Sequence, residues 1–124
     1  MNEVSRQLEI VLRLSEEFKE MGFEYHFDGS TSKVLQGAKA NMNDIDIVFP
    51  YSRHEKIKEY FINRNLSEES WDSENQLLHF YFTENKEKVH LLFYKNSEDS
   101  FHDYHEQIDV NGTKLWVKGL GFFG

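Results

Sequence analysis

Two aspartates one residue apart, Asp44 and Asp46, stand in the apolar run DIDIVF. Side chains at i and i+2 of a strand point the same way, about 6.6 Å apart along the backbone. The two carboxylates therefore share a face, and Ile45, Ile47 and Phe49 take the opposite one, which must be core. Carboxylates side by side repel each other, so the pair is costly unless a cation lies between them. Hard divalent ions such as magnesium take oxygen ligands and accept phosphates as co-ligands. Upstream, Gly29-Ser30 leads from an alternating segment into a helical one. Backbone N–H groups left free at such a turn suit a phosphate. Lys33 follows closely enough to touch that phosphate, although an exposed helix lysine is the commoner case. The two halves together describe a metal–triphosphate site: a turn for phosphates and a pair of aspartates for the metal.

These residues need elements to hold them. Residues 2–21 carry Val4, Leu8, Val11 and Phe18 at helical spacing, widened by Leu12 and Leu14, and Gly22 stands where a helix ends. Residues 23–28 alternate Phe23, Tyr25 and Phe27 with Glu24, His26 and Asp28, which predicts a strand. Residues 30–40 predict a short helix with a Ser or Thr cap. The aspartate strand follows and Pro50 ends it. Residues 52–65 predict a helix with Ile57, Tyr60 and Phe61 inward. QLLHFYF and KVHLLFY predict two strands joined by the polar turn TENKE. IDVNGTKLWV predicts a hairpin, because Asn-Gly between alternating runs is a strong turn signal. Helices and strands mix without regular alternation, which predicts an α+β fold or mixed sheet.

The stretch FDGSTSKVLQGAKANMNDIDIVF resembles the signature of the nucleotidyltransferase superfamily. That signature is a Gly-Ser or Gly-Gly turn, then about ten to fifteen residues, then an Asp-hydrophobic-Asp-hydrophobic strand. The resemblance is nearest to small bacterial members, including the lincosamide and aminoglycoside nucleotidyltransferases and the minimal nucleotidyltransferase domains. It covers residues 23–49 closely and extends more loosely to about residue 118. It implies an α+β fold in which helices flank a mixed sheet. It also implies that Gly29 and Ser30 hold the phosphates of a nucleoside triphosphate, and that Asp44 and Asp46 hold Mg2+ or Mn2+. The acceptor is not implied by anything in the chain.

Two departures from the family pattern stand out. A third carboxylate is expected on a later strand, in a pattern like Val-Asp-Leu-Leu. The matching stretch here is KVHLLFYK, where His90 takes that place, or Lys88 in a shifted alignment. Glu87 falls on the opposite face with Val89, Leu91 and Phe93. A neutral histidine can act as base or ligand, so His90 joins Asp44 and Asp46 as a candidate catalytic residue, although magnesium prefers oxygen. The second departure is at GLGFFG, where family members lead into a helix and often a helical acceptor-binding domain. The expectation is a single domain, 1–124, without that acceptor domain. Phe122 and Phe123 either plug the core or mark an interface with a partner protein or a second copy.

Composition narrows the classes. A net charge of −8 argues against a nucleic-acid surface working by charge. No cysteine is present, which removes thiolate metal sites, disulfides and a Cys nucleophile. The first residues lack a leader-like apolar stretch and no segment reaches membrane-spanning length, so a cytoplasmic protein is expected. His102 and His105 are read as a solvated loop rather than a metal pair, with Phe101 and Tyr104 as anchors. Trp71 and Trp116 are read as packing residues, and SEESWDSEN as a connector without chemistry. Three functions are open: a nucleotidyltransferase, a degenerate relative that binds a nucleotide or a protein, and an interaction module.

Overall fold

A computed structural model describes residues 3–97 and 99–123 of the chain. Helix α1 (Glu3–Met21) buries Ile10, Val11, Leu14 and Phe18, and Leu8 and Leu12 are partly buried. Val4 belongs to α1, but its side chain lies outside the described residues. The helix stops at Gly22, whose φ of +70° is left-handed. Then come β1 (His26–Phe27), α2 (Gly29–Leu35), β2 (Ile45–Val48) and α3 (His54–Phe61). The rest of the chain is strand: β3 (Ser70–Asp72), β4 (Leu77–Glu84), β5 (Glu87–Tyr94), β6 (His105–Val110) and β7 (Thr113–Lys118).

Among the described residues these strands form one seven-stranded sheet in the order β3-β4-β5-β2-β1-β7-β6. The β2–β5 and β1–β7 pairs are parallel and the others antiparallel, so the sheet is mixed and the fold is α+β, as expected. The β4–β5 and β6–β7 hairpins turn through two consecutive residues with positive φ, Asn85-Lys86 and Asn111-Gly112, which suits the right-handed twist of paired strands.

One sheet face carries Phe27, Ile45, Ile47, Leu91, Phe93 and Val117 into a core shared with α1 and α3. Phe18 of α1 sits edge-on to Phe49 and to Phe61, and Phe61 stacks on Phe82. Buried Gln7 donates to the Met42 carbonyl at 2.8 Å, which ties the segment before β2 to α1. The other face has only a small buried cluster, Val48, Leu77, Leu92 and Phe101. That leaves room there for polar groups.

Several expectations are corrected. The first strand pairs over two residues only, and His26 is buried beside Phe101. The cap of α2 is Asp28, whose carboxylate accepts the Gly29 N–H at 2.7 Å, instead of a Ser or Thr. The supposed connector contains β3, an edge strand, and Trp71 is exposed on it. Phe101 is buried, but Tyr104 is exposed and lies edge-on to Phe122. Phe122 is exposed too, so it does not plug the core. Among the described residues no helix is long and apolar enough to cross a membrane.

Candidate active site

Strand register brings the candidate residues together. In the parallel β2–β5 pair Asp46 stands opposite His90, and both project on the less covered face. Asp44 immediately precedes β2. Asp44, Asp46 and His90 each offer a ligand atom, and these atoms lie within 4.8 Å of one another, with all three residues half-buried. Among the described residues no other group of three or more potential ligands converges in this way. His90 Nδ1 is 3.8 Å from Asp46 Oδ1. Lys88, the alternative to His90, lies two residues earlier on β5 with its ammonium 4.3 Å over the Tyr81 ring.

The turn lies against the aspartates. Gly29 has a φ of +57°, and a Cβ there would stand 2.9 Å from Asp46 Oδ2. Glycine answers both demands, the left-handed backbone and the close approach. The Asp28 N–H donates to the Asp46 carbonyl at 3.0 Å. The Ser30 hydroxyl accepts the Asn43 N–H at 3.0 Å. The Gly29 N–H, expected free for a phosphate, is already held by Asp28. The Lys33 ammonium lies 4.7 Å over the Phe123 ring, at the C-terminal turn.

Two residues escaped sequence reasoning. Thr31 is fully buried; its hydroxyl donates to the Asp44 carbonyl at 2.9 Å and accepts the Asp46 N–H at 3.0 Å. It fixes the backbone between the two aspartates. In the sequence Thr31 stands only as a candidate helix cap. The other is His79 on β4, whose Nδ1 is 2.7 Å from His90 Nε2. Strand parity on QLLHFYF could have flagged it, but only once β4 was known to pair with β5.

The electrostatics of the cluster suit a cation. Burial, then the charges of Asp44 and Asp28, push the Asp46 carboxyl up to about 7, with Lys88 opposing. Burial, then His79 and Lys88, push His90 down to about 4, so its ring is neutral near pH 7. In the tautomer whose Nε2–H donates to His79, Nδ1 presents its lone pair toward Asp46. Two carboxylates and one such imidazole fit a divalent ion that tolerates nitrogen, and manganese does so better than magnesium. Elsewhere, His102 meets Glu24 at 3.0 Å on the surface. His105 belongs to β6 and stacks on Trp116 at 4.2 Å, so the expected solvated loop is half right.

No family model and no curated protein sequence matches this chain. Solved structures do. A candidate nucleotidyltransferase from Thermotoga maritima superposes with a TM-score of 0.80 at 18% identity, covering 95% of this chain and 80% of that one. The lincosamide antibiotic adenylyltransferase LnuA, in its lincomycin-bound form, gives 0.59 at 18% identity, covering 90% and 78%. At such identities the likeness speaks for architecture: the chain has a nucleotidyltransferase-like fold.

Proposed function

We propose that this chain transfers a nucleoside monophosphate from a nucleoside triphosphate to a hydroxyl group, with a divalent metal ion. The observation that carries the reading is the convergence of Asp44, Asp46 and His90 beside the Gly29-Ser30 turn. The adenylyl transfer named for one structural neighbour supports it. A divalent ion at the cluster would supply positive charge to the phosphoryl oxygens as negative charge develops on them. Asp44 and Asp46 provide the charge that attracts it, and His90 adds a neutral nitrogen. The 2.7 Å contact with His79 fixes the orientation of the His90 ring. Gly29 leaves space against Asp46 where a side chain would intrude. The Ser30 hydroxyl accepts from Asn43 and keeps its own proton to donate to a phosphate oxygen. In the reaction the acceptor oxygen bonds to the α-phosphorus as its bond to the bridging oxygen breaks. Pyrophosphate leaves, and the hydroxyl proton passes to solvent.

The test is to incubate the protein with α-labelled nucleoside triphosphates, Mn2+ and a panel of hydroxylated small molecules. The expected result is label in a new product with equimolar pyrophosphate, reduced by about 100-fold or more in Asp46→Asn. Transfer that Asp46→Asn leaves untouched would sink the reading.

A further inference from the structure

A cavity of about 230 Å³ opens on the sheet face that carries Asp46 and His90. Along β2 that face runs from Asp46 to Val48, and along β5 from His90 through Leu92 to Tyr94. Val48 and Tyr94 line the cavity, so its near wall begins one two-residue step, about 7 Å, beyond Asp46. The side walls are rings: Tyr51, Tyr94, Phe101 and Phe122. Its charged lining residues are Lys118 and Asp28. Lys118 is 8% exposed, and its ammonium donates to the Asp103 carbonyl at 2.6 Å and lies 5.0 Å over the Phe122 ring. Asp28 stands between cavity and cluster. Its N–H holds the Asp46 carbonyl and its Oδ1 accepts the Gly29 N–H, which leaves Oδ2 outside both bonds.

We propose that this cavity binds the acceptor of the transfer. The ligand is a small single-ring molecule that lays a flat apolar face on the aromatic walls and turns a hydroxyl toward Asp28 Oδ2. The inference rests on the transferase reading above. A carboxylate at the inner end accepts from a hydroxyl. In that reading the phosphates lie at the Ser30 hydroxyl and the aspartate pair. The volume falls below the roughly 300–1,000 Å³ typical of drug-sized ligands, which excludes a whole nucleoside triphosphate.

Benzyl alcohol, one ring with one hydroxyl, is the probe. Its binding is followed by saturation-transfer NMR, with and without Mg2+ and α,β-methylene-ATP. The expected result is that probe and nucleotide bind together. Ser100→Trp at the exposed mouth, and Phe122→Ala in the exposed wall, should each weaken the probe by about fivefold or more. Neither should change nucleotide affinity by more than about twofold. Displacement of the probe by the nucleotide would overturn the proposal. So would a loss of nucleotide affinity beyond about tenfold in Ser100→Trp, because both results mark a nucleobase pocket. A protein that binds nucleotide but not benzyl alcohol overturns the cavity assignment alone. One that binds benzyl alcohol but no nucleotide overturns the assignment together with the transferase reading.

Discussion

The Asp46 carboxylate sits where burial and neighbouring charge both oppose its ionisation. Burial and two neighbouring carboxylates raise its pKa to about 7, and Gly29 is the residue that lets the turn lie against it. Gly29→Ala should therefore do two things. The left-handed backbone should cost about 1–2 kcal/mol of stability, read by denaturant unfolding. The new methyl group should push the Asp46 carboxylate aside and weaken Mn2+ binding, read by titration. Unchanged Mn2+ affinity would contradict the packing described for the turn. The aspartate pair was readable from sequence because parity alone puts both carboxylates on one face. His90 was readable for the same reason. His79 and Thr31 were not, because their roles depend on which strands pair and on how α2 docks, and neither is written locally.

The elements that hold the site are short. α2 has seven residues and β2 has four, so isolated propensity does little and the cross-links between them matter. Thr31 makes two of those links, to the Asp44 carbonyl and the Asp46 N–H. Thr31→Val keeps the shape and removes both bonds, leaving two backbone groups unsatisfied. It should cost about 1–3 kcal/mol and lower metal affinity while far-UV circular dichroism stays native. A neutral substitution would mean that the loop is held by other contacts. The β4–β5 and β6–β7 hairpins were readable, because the polar TENKE turn and Asn-Gly interrupt alternating runs. Strand β3 was hidden because Ser70-Trp71-Asp72 is polar, exposed and held only at the sheet edge. The Asp28 cap was hidden by three Ser and Thr residues beside it that compete for the same role.

At the scale of the whole molecule, buried titratable groups set a pH optimum. His26 is pushed down to about 3 by burial, then Lys118 and the neighbouring histidines; His90 and His105 are pushed down to about 4, mainly by burial. A histidine with a depressed folded pKa stabilises the fold above its unfolded value of about 6.5 and loses that contribution as pH falls. Asp46 works the other way: its contribution is complete below the unfolded carboxylate value and is lost as pH rises through about 7. Three groups outweigh one, so the metal-free melting temperature should fall from pH 6.5 to 4.5, and His26→Phe should flatten that fall. Above pH 7 the loss due to Asp46 should disappear on adding Mn2+ and in Asp46→Asn. A melting temperature that rises on acidification would contradict this assignment. The central claim is that one site couples metal to nucleotide, and calorimetry of Mn2+ binding with and without α,β-methylene-ATP tests it most directly. Wild type should bind Mn2+ weakly alone and about tenfold or more tightly with the nucleotide, and Asp46→Asn should lose that coupling. Equal Mn2+ affinity with and without nucleotide, or the same coupling in Asp46→Asn, would contradict it.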